Sequence, residues 1–82
     1  MSYTKQILNF IIKEKSQGNS FQELNVQMKI MMKGVNVKGI LDGNISEELA
    51  LTLTERLKEI AKEFDVDLQK MEYMNADLRG YF

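Results

Sequence analysis

Acid–base chemistry in this chain would depend on pairs of carboxylates, because the sequence contains no histidine and no cysteine. Three pairs are close enough along the chain to be candidates: Glu47/Glu48, Glu59/Glu63 and Asp65/Asp67. All of them fall at the end of a predicted helix or on its polar face, where charges stay hydrated and pKa shifts stay small. The pattern is typical of a solvated surface, so the sequence predicts no catalytic residue and no enzymatic activity.

Metal and phosphate sites are not indicated either. Without cysteine or histidine, a zinc site would have carboxylate ligands alone, which is uncommon. Residues 39–43 contain two glycines but lack the lysine and the spacing of a phosphate-binding loop, and Asp42 would repel a phosphate. Residues 42–44 are too short for a calcium loop of the EF-hand type. We therefore expect no metal, no cofactor and no small-molecule substrate.

The strongest candidate for a functional surface is the methionine-rich segment at residues 20–35, SFQELNVQMKIMMKGV. It has more apolar side chains than one helix face needs. Methionine is flexible and polarisable, so it suits an adaptable docking surface as well as a core gap. The residues expected to bind a partner are Val26, Met28, Ile30, Met31 and Met32. The simplest partner is a second copy, as in a homodimer, and the alternative is a helical protein.

The element that would position this segment has two interpretations. Apolar residues recur at spacings of three and four, which predicts a helix with one inner stripe: Phe21, Leu24, Met28, Met31 and Val35. Ser20 and Glu23 would form a capping box, and Val26 and Ile30 would be left off the stripe. Residues 24–30 also alternate between apolar and polar, as a strand would, with Lys33 and Gly34 as a hairpin turn. Capping and propensity favour the helix.

Two further helices are predicted on either side of this segment. The first covers residues 3–15 and has a stripe of Ile7, Leu8, Ile11 and Ile12. The other covers residues 46–64, with Ser46 as its N-cap and a stripe of Leu49, Leu53, Leu57, Ile60 and Phe64. Three glycines in residues 34–43 predict a connector with at most one helical turn, near residues 36–41.

The chain of 82 residues is expected to form one domain. We predict an all-α bundle of three to four short helices, whose tail after about residue 66 is a short helix over 68–78 or is frayed. The alternative is an α+β fold, α-β-β-α, with its hairpin at Lys33–Gly34. No apolar run approaches the roughly 20 residues of a membrane span, and no signal peptide is evident. A cytoplasmic protein without membrane contact is expected.

A second interpretation of function comes from Gly34-Val35-Asn36, with Ile40 after it, and from the run LKEIAKEFDVDL at residues 57–68. These residues resemble the helix-turn-helix domains of phage-repressor type. The resemblance implies a small DNA-binding regulator in which Lys29, Lys33 and Lys38 contact phosphates. A net charge of −1 gives little attraction to nucleic acid. The favoured role is therefore a noncatalytic interaction or regulatory module that self-associates, with DNA binding as the alternative.

Overall fold

The computed structural model describes residues 3–71. Within this range the chain forms four helices: α1 (Tyr3–Ser16), α2 (Ser20–Met32), α3 (Val37–Asp42) and α4 (Glu47–Glu63). Residues 69–71 are again helical, and no strand occurs in the described part of the chain. The prediction of a small all-α bundle is confirmed. The α-β-β-α alternative is wrong, because residues 24–30 lie inside α2 and Lys33–Gly34 follows a helix rather than joining two strands.

The hydrophobic core is built around α1, which contacts each of the other three helices. Its predicted stripe is confirmed, since Ile7, Leu8 and Ile11 are fully buried and Ile12 is nearly so. The other helices contribute branched aliphatic side chains to the same cluster: Val26, Ile30, Val37, Ile40, Leu53, Leu57 and Ile60. Burial of these side chains, at about 1.5–3 kcal/mol each, is the main force that holds α2 and α4 against α1.

The helices begin at residues that satisfy free backbone N–H groups. Ser46 caps α4 as predicted, since its hydroxyl accepts a hydrogen bond from the N–H of Leu49 at 3.2 Å. The predicted capping box of Ser20 and Glu23 is wrong, because the N-cap lies one residue before Ser20. Asn19 is the N-cap of α2, because its side-chain oxygen accepts from the N–H groups of Phe21 (2.9 Å) and Gln22 (3.3 Å). Because the Asn19 carboxamide satisfies two backbone N–H groups, Asn19 rather than Ser20 takes the cap position.

The connector forms the single helical turn that was predicted, as the six-residue α3. Asn36 caps it by accepting from the N–H of Gly39 at 3.0 Å. A methyl group on Gly39 would collide with this carboxamide as it is placed, so the Asn36 side chain would have to shift to accommodate a larger residue. Gly43 ends α3 with a φ of 75°, in the left-handed region that favours glycine.

The end of α4 is set by Asp65, whose φ of 62° turns the backbone out of the helix. The N–H of Val66 then donates to the carbonyl of Ala61 at 2.8 Å, as in a Schellman cap. Asp67 accepts from the N–H of Gln69 at 2.9 Å and begins the helical residues 69–71. Most of the helix predicted over 68–78 lies outside the described residues.

Candidate functional site

Helix α2 has apolar side chains on two opposite sides. Val26 and Ile30 are 3% and 0% exposed and lie on the side packed into the core. Successive residues of a helix are turned by about 100°, so Met28, midway between them, projects in the opposite direction. The helix therefore holds itself in the bundle by one apolar side and presents another to solvent.

The outward side carries five large apolar residues: Phe21, Leu24, Met28, Met31 and Met32. Their exposed fractions are 82%, 62%, 57%, 48% and 85%. They fall within an arc of about 100° and along about 16 Å of helix. We call these five residues the α2 apolar face.

This arrangement corrects part of the predicted site. Val26 and Ile30 were expected to be left exposed for a partner, and that expectation is wrong because both are core residues. Phe21, Leu24, Met28 and Met31 were placed with Val35 on one stripe, although Met28 and Met31 were also named as partner-binding residues. Of this stripe only Val35 is buried, and the other four residues are exposed. Both stripes fit a helical period equally well, so the period does not decide which one meets α1. The proposed contact of Met28, Met31 and Met32 with a partner remains a prediction.

Sequence reasoning missed Phe21 and Leu24 as members of the exposed face. Composition gives only a partial signal. The buried hydrophobic residues of α1, α3 and α4 are Ile, Leu and Val with a single alanine, so Phe21 and the methionines of α2 differ from that core, whereas Leu24 does not. The other large apolar side chains of α2, including all of its methionines, lie together on the exposed side of the helix.

The α2 apolar face is large for a protein of this size. Each of its side chains would expose on the order of 200 Å² if fully solvated, so their exposed fractions amount to roughly 600–700 Å² in total. The largest apolar patch of a typical monomer is about 300–600 Å² and is often functional. The size of this face, rather than any one residue, makes it the candidate site.

Polar residues border this face on both edges. Gln22, Asn25 and Lys29 follow one edge at helical spacing, and Ser20 and Gln27 follow the other. Lys29 and Glu23 are the only charged residues of α2, and Glu23 lies toward the core side of the helix. An apolar centre with a polar rim, here with Lys29 as its one charged residue from α2, is the usual anatomy of a protein–protein interface.

Lys33, just beyond the end of α2, is engaged within the chain. Its ammonium lies 2.6 Å from the carboxylate of Glu63. The hydrogen bond and the charge of Lys33 lower the pKa of Glu63 below its ordinary value of 4.5. Arg56 also donates to the carbonyl of Lys33 at 3.2 Å. Of the three lysines implicated in DNA binding, Lys33 is thus held by α4, while Lys29 and Lys38 are exposed on α2 and α3.

The residues that resemble a helix-turn-helix domain have a defined place in the fold. Helices α2 and α3 are joined by a four-residue turn, 33–36, in which Gly34 has a φ of 89°. Five apolar positions of the motif are buried, namely Val35, Ile40, Leu57, Ile60 and Ala61, and three more are half-buried, namely Phe64, Val66 and Leu68. Most of the residues that carry the resemblance are therefore residues of the core. They also include the glycine-containing turn that precedes the short helix α3.

The carboxylates considered for catalysis are all exposed, in agreement with their predicted role as a solvated surface. A cleft of about 510 Å³ lies beside the N-terminus of α1 and is lined by charges of both signs, among them Glu55, Lys58, Glu59 and Lys62. In residues 3–71, acidic side chains do not gather into a group that could hold a metal ion. None of the helices described is both long and apolar enough to cross a lipid bilayer.

The chain matches no protein-family model, no curated protein and no solved structure.

Proposed function

We propose that this protein is a noncatalytic interaction module of the cytoplasm, with a regulatory role, that binds a helical protein surface through the α2 apolar face. The observation that carries the proposal is the exposure of five large apolar side chains on one side of a helix whose other side is fixed in the core. The partner is a second copy of the chain or another helical protein. The absence of cysteine suits a reducing compartment.

The energetics favour binding by this face. An apolar side chain that becomes fully covered contributes about 1.5–3 kcal/mol. Association itself costs about 4–15 kcal/mol in lost translational and rotational freedom, so most of the five residues must be covered together to offset that cost. Val26 and Ile30 hold the helix in the bundle whether or not a partner is bound, so little backbone ordering is needed on binding.

The test compares two chemically identical substitutions. Leu24→Asp places a charge in the α2 apolar face, and Leu51→Asp places one on α4, where the leucine is 72% exposed. Both variants should keep the wild-type helical content, and the wild-type melting temperature at protein concentrations too low for association, because both positions are exposed. Leu24→Asp alone should lose association, measured as self-association by sedimentation and as retention of a binding protein from cell extract. Equal association by the two variants, or none by the wild type, would overturn the proposal.

DNA binding is the second candidate, and the observation that favours it is the four-residue turn between α2 and α3. It predicts a mobility shift of duplex DNA that weakens steeply with salt and is lost in Lys38→Glu. The outward side of α2 argues against it, since it offers methionine, leucine and phenylalanine where phosphates need donors and cations. The absence of a mobility shift at low salt would exclude DNA binding.

A further inference from the structure

We propose that the α2 apolar face is covered by the same face of a second copy, with the two α2 helices antiparallel across a twofold axis. This inference rests on the proposed function and specifies its partner. It is carried by three properties of the face: its area, the order of its side chains along the helix, and the composition of its two edges.

The area fits a small homodimer. Two copies of the face would together bury roughly 1,200–1,400 Å², which lies at the lower end of the range for stable protein–protein interfaces. Only Lys29 introduces a charge beside the face, so pairing two copies does not bury like charges at the centre. A twofold axis requires that one surface complement itself.

The order of the side chains provides that complementarity. Phe21 lies at one end of the face and Met31 and Met32 at the other, with Leu24 and Met28 between them. When one helix is reversed about a point near residue 26 or 27, each Phe21 meets the partner's methionine end, and Leu24 meets the region of the partner's Met28. Flexible thioethers adapt to a rigid ring, and sulfur–aromatic contacts are favourable by about 0.3–1.5 kcal/mol. A parallel pair would instead set ring against ring and thioether against thioether.

The edges of the face distinguish the two orientations as well. In an antiparallel pair, a twofold axis perpendicular to α2 brings the same edge of both copies together. Gln22, Asn25 and Lys29 of one copy then border the same residues of the other, and each Lys29 lies near the partner's Gln22, whose carboxamide oxygen can accept from an ammonium. In a parallel pair, Lys29 would border the opposite edge, beside Gln27 and the apolar Leu24 and Met31.

Cross-linking tests this geometry, because the chain has no cysteine and an introduced one is unique. Gln22→Cys and Lys29→Cys leave the apolar face intact. The two variants are mixed and treated with a short bismaleimide, and Leu51→Cys on α4 gives the level of random collision. Sedimentation equilibrium of the wild type, Leu24→Asp and Leu51→Asp is measured in parallel.

The inference predicts a wild-type dimer that Leu24→Asp weakens by at least about tenfold and that Leu51→Asp leaves unchanged. It also predicts that the mixed product joining positions 22 and 29 exceeds either homodimeric product and the Leu51→Cys level.

A dimer in which the mixed product stays at the collision level overturns the antiparallel arrangement. A monomer at millimolar concentration overturns self-pairing. In that case the proposed function stands if wild type and Leu51→Asp retain a helical partner that Leu24→Asp does not, and falls with the inference if none is retained.

Discussion

The ammonium of Lys33 lies 2.6 Å from the carboxylate of Glu63 and joins the C-terminal end of α2 to that of α4. Phe64 lies beside this pair, with the ammonium groups of Lys15 and Lys33 at 5.9 Å and 6.0 Å from its ring centroid. The last turns of three helices thus meet around one aromatic ring. Lysines near these ends also complement the negative ends of the helix dipoles. Because both side chains are partly exposed, this ion pair adds only modestly to the packing of Val26 and Ile30 that holds α2 in the bundle.

Glu63→Gln is expected to change the pH dependence of stability. The pKa of Glu63 is lowered in the folded state by Lys33, so ionised Glu63 stabilises the fold above its unfolded pKa, and this contribution is lost as the pH falls through the folded value. The wild type should therefore unfold at a higher urea concentration than Glu63→Gln near pH 7. The difference should shrink below about pH 4.5. Lys33→Gln is the matched control, since in that background Glu63→Gln should produce a much smaller pH-dependent difference, the part due to the charge of Arg56.

Two neighbouring substitutions in α2 should have opposite consequences. Ile30→Asp buries a carboxylate in the core and should cost at least about 3 kcal/mol, enough to unfold a domain of this size at ordinary temperature. Met28→Asp changes a residue that is 57% exposed and should alter the free energy of unfolding by less than about 1 kcal/mol. Thermal melts followed by circular dichroism at low protein concentration, where association does not contribute, compare the two. Similar losses in both variants would mean that Met28 is core.

Val26 and Ile30 show what the sequence alone does not determine about α2, namely which of its two apolar sides packs against α1. A helix with one apolar stripe has its inner side determined by composition, as in α4, where Leu53, Leu57 and Ile60 are buried as predicted. Helix α2 has two stripes, and the choice between them depends on contacts with α1 that no local pattern contains. The element and its length could be predicted, and the three methionines of α2 could be named as candidates for partner contact. The orientation of the helix, and with it the exposure of Leu24, could not be predicted.

A buried hydroxyl pair between α1 and α4 was also beyond prediction, because its members are 50 residues apart. The hydroxyls of Thr4 and Thr54 lie 2.7 Å from each other, and that of Thr4 lies 3.2 Å from the carbonyl oxygen of Ala50. Thr4 lies in the first turn of α1 and satisfies polar groups of α4.

Thr4→Val and Thr54→Val should each cost about 0.5–1.5 kcal/mol, because each removes one partner of a buried hydrogen bond. The double variant should cost less than the two single variants together, since replacing both hydroxyls leaves no buried hydroxyl unsatisfied. Urea unfolding of the four proteins completes the cycle. Strictly additive losses would show that the two hydroxyls do not interact in solution.

The effect of Gly39→Ala on the free energy of unfolding should depend on whether residue 36 is asparagine or alanine. Replacing a glycine in the interior of a helix by alanine normally stabilises a protein by about 0.5–1 kcal/mol. Here the added methyl group collides with the Asn36 carboxamide, which must move and so weakens the cap of α3, whose complete loss would cost about 0.5–2 kcal/mol. In the wild type, Gly39→Ala should therefore be neutral or destabilising. In an Asn36→Ala background the cap is already absent and the collision is gone, so the same substitution should stabilise. Chemical denaturation of the four proteins measures both effects, and a stabilising Gly39→Ala in the wild type would show that the cap does not restrict this position.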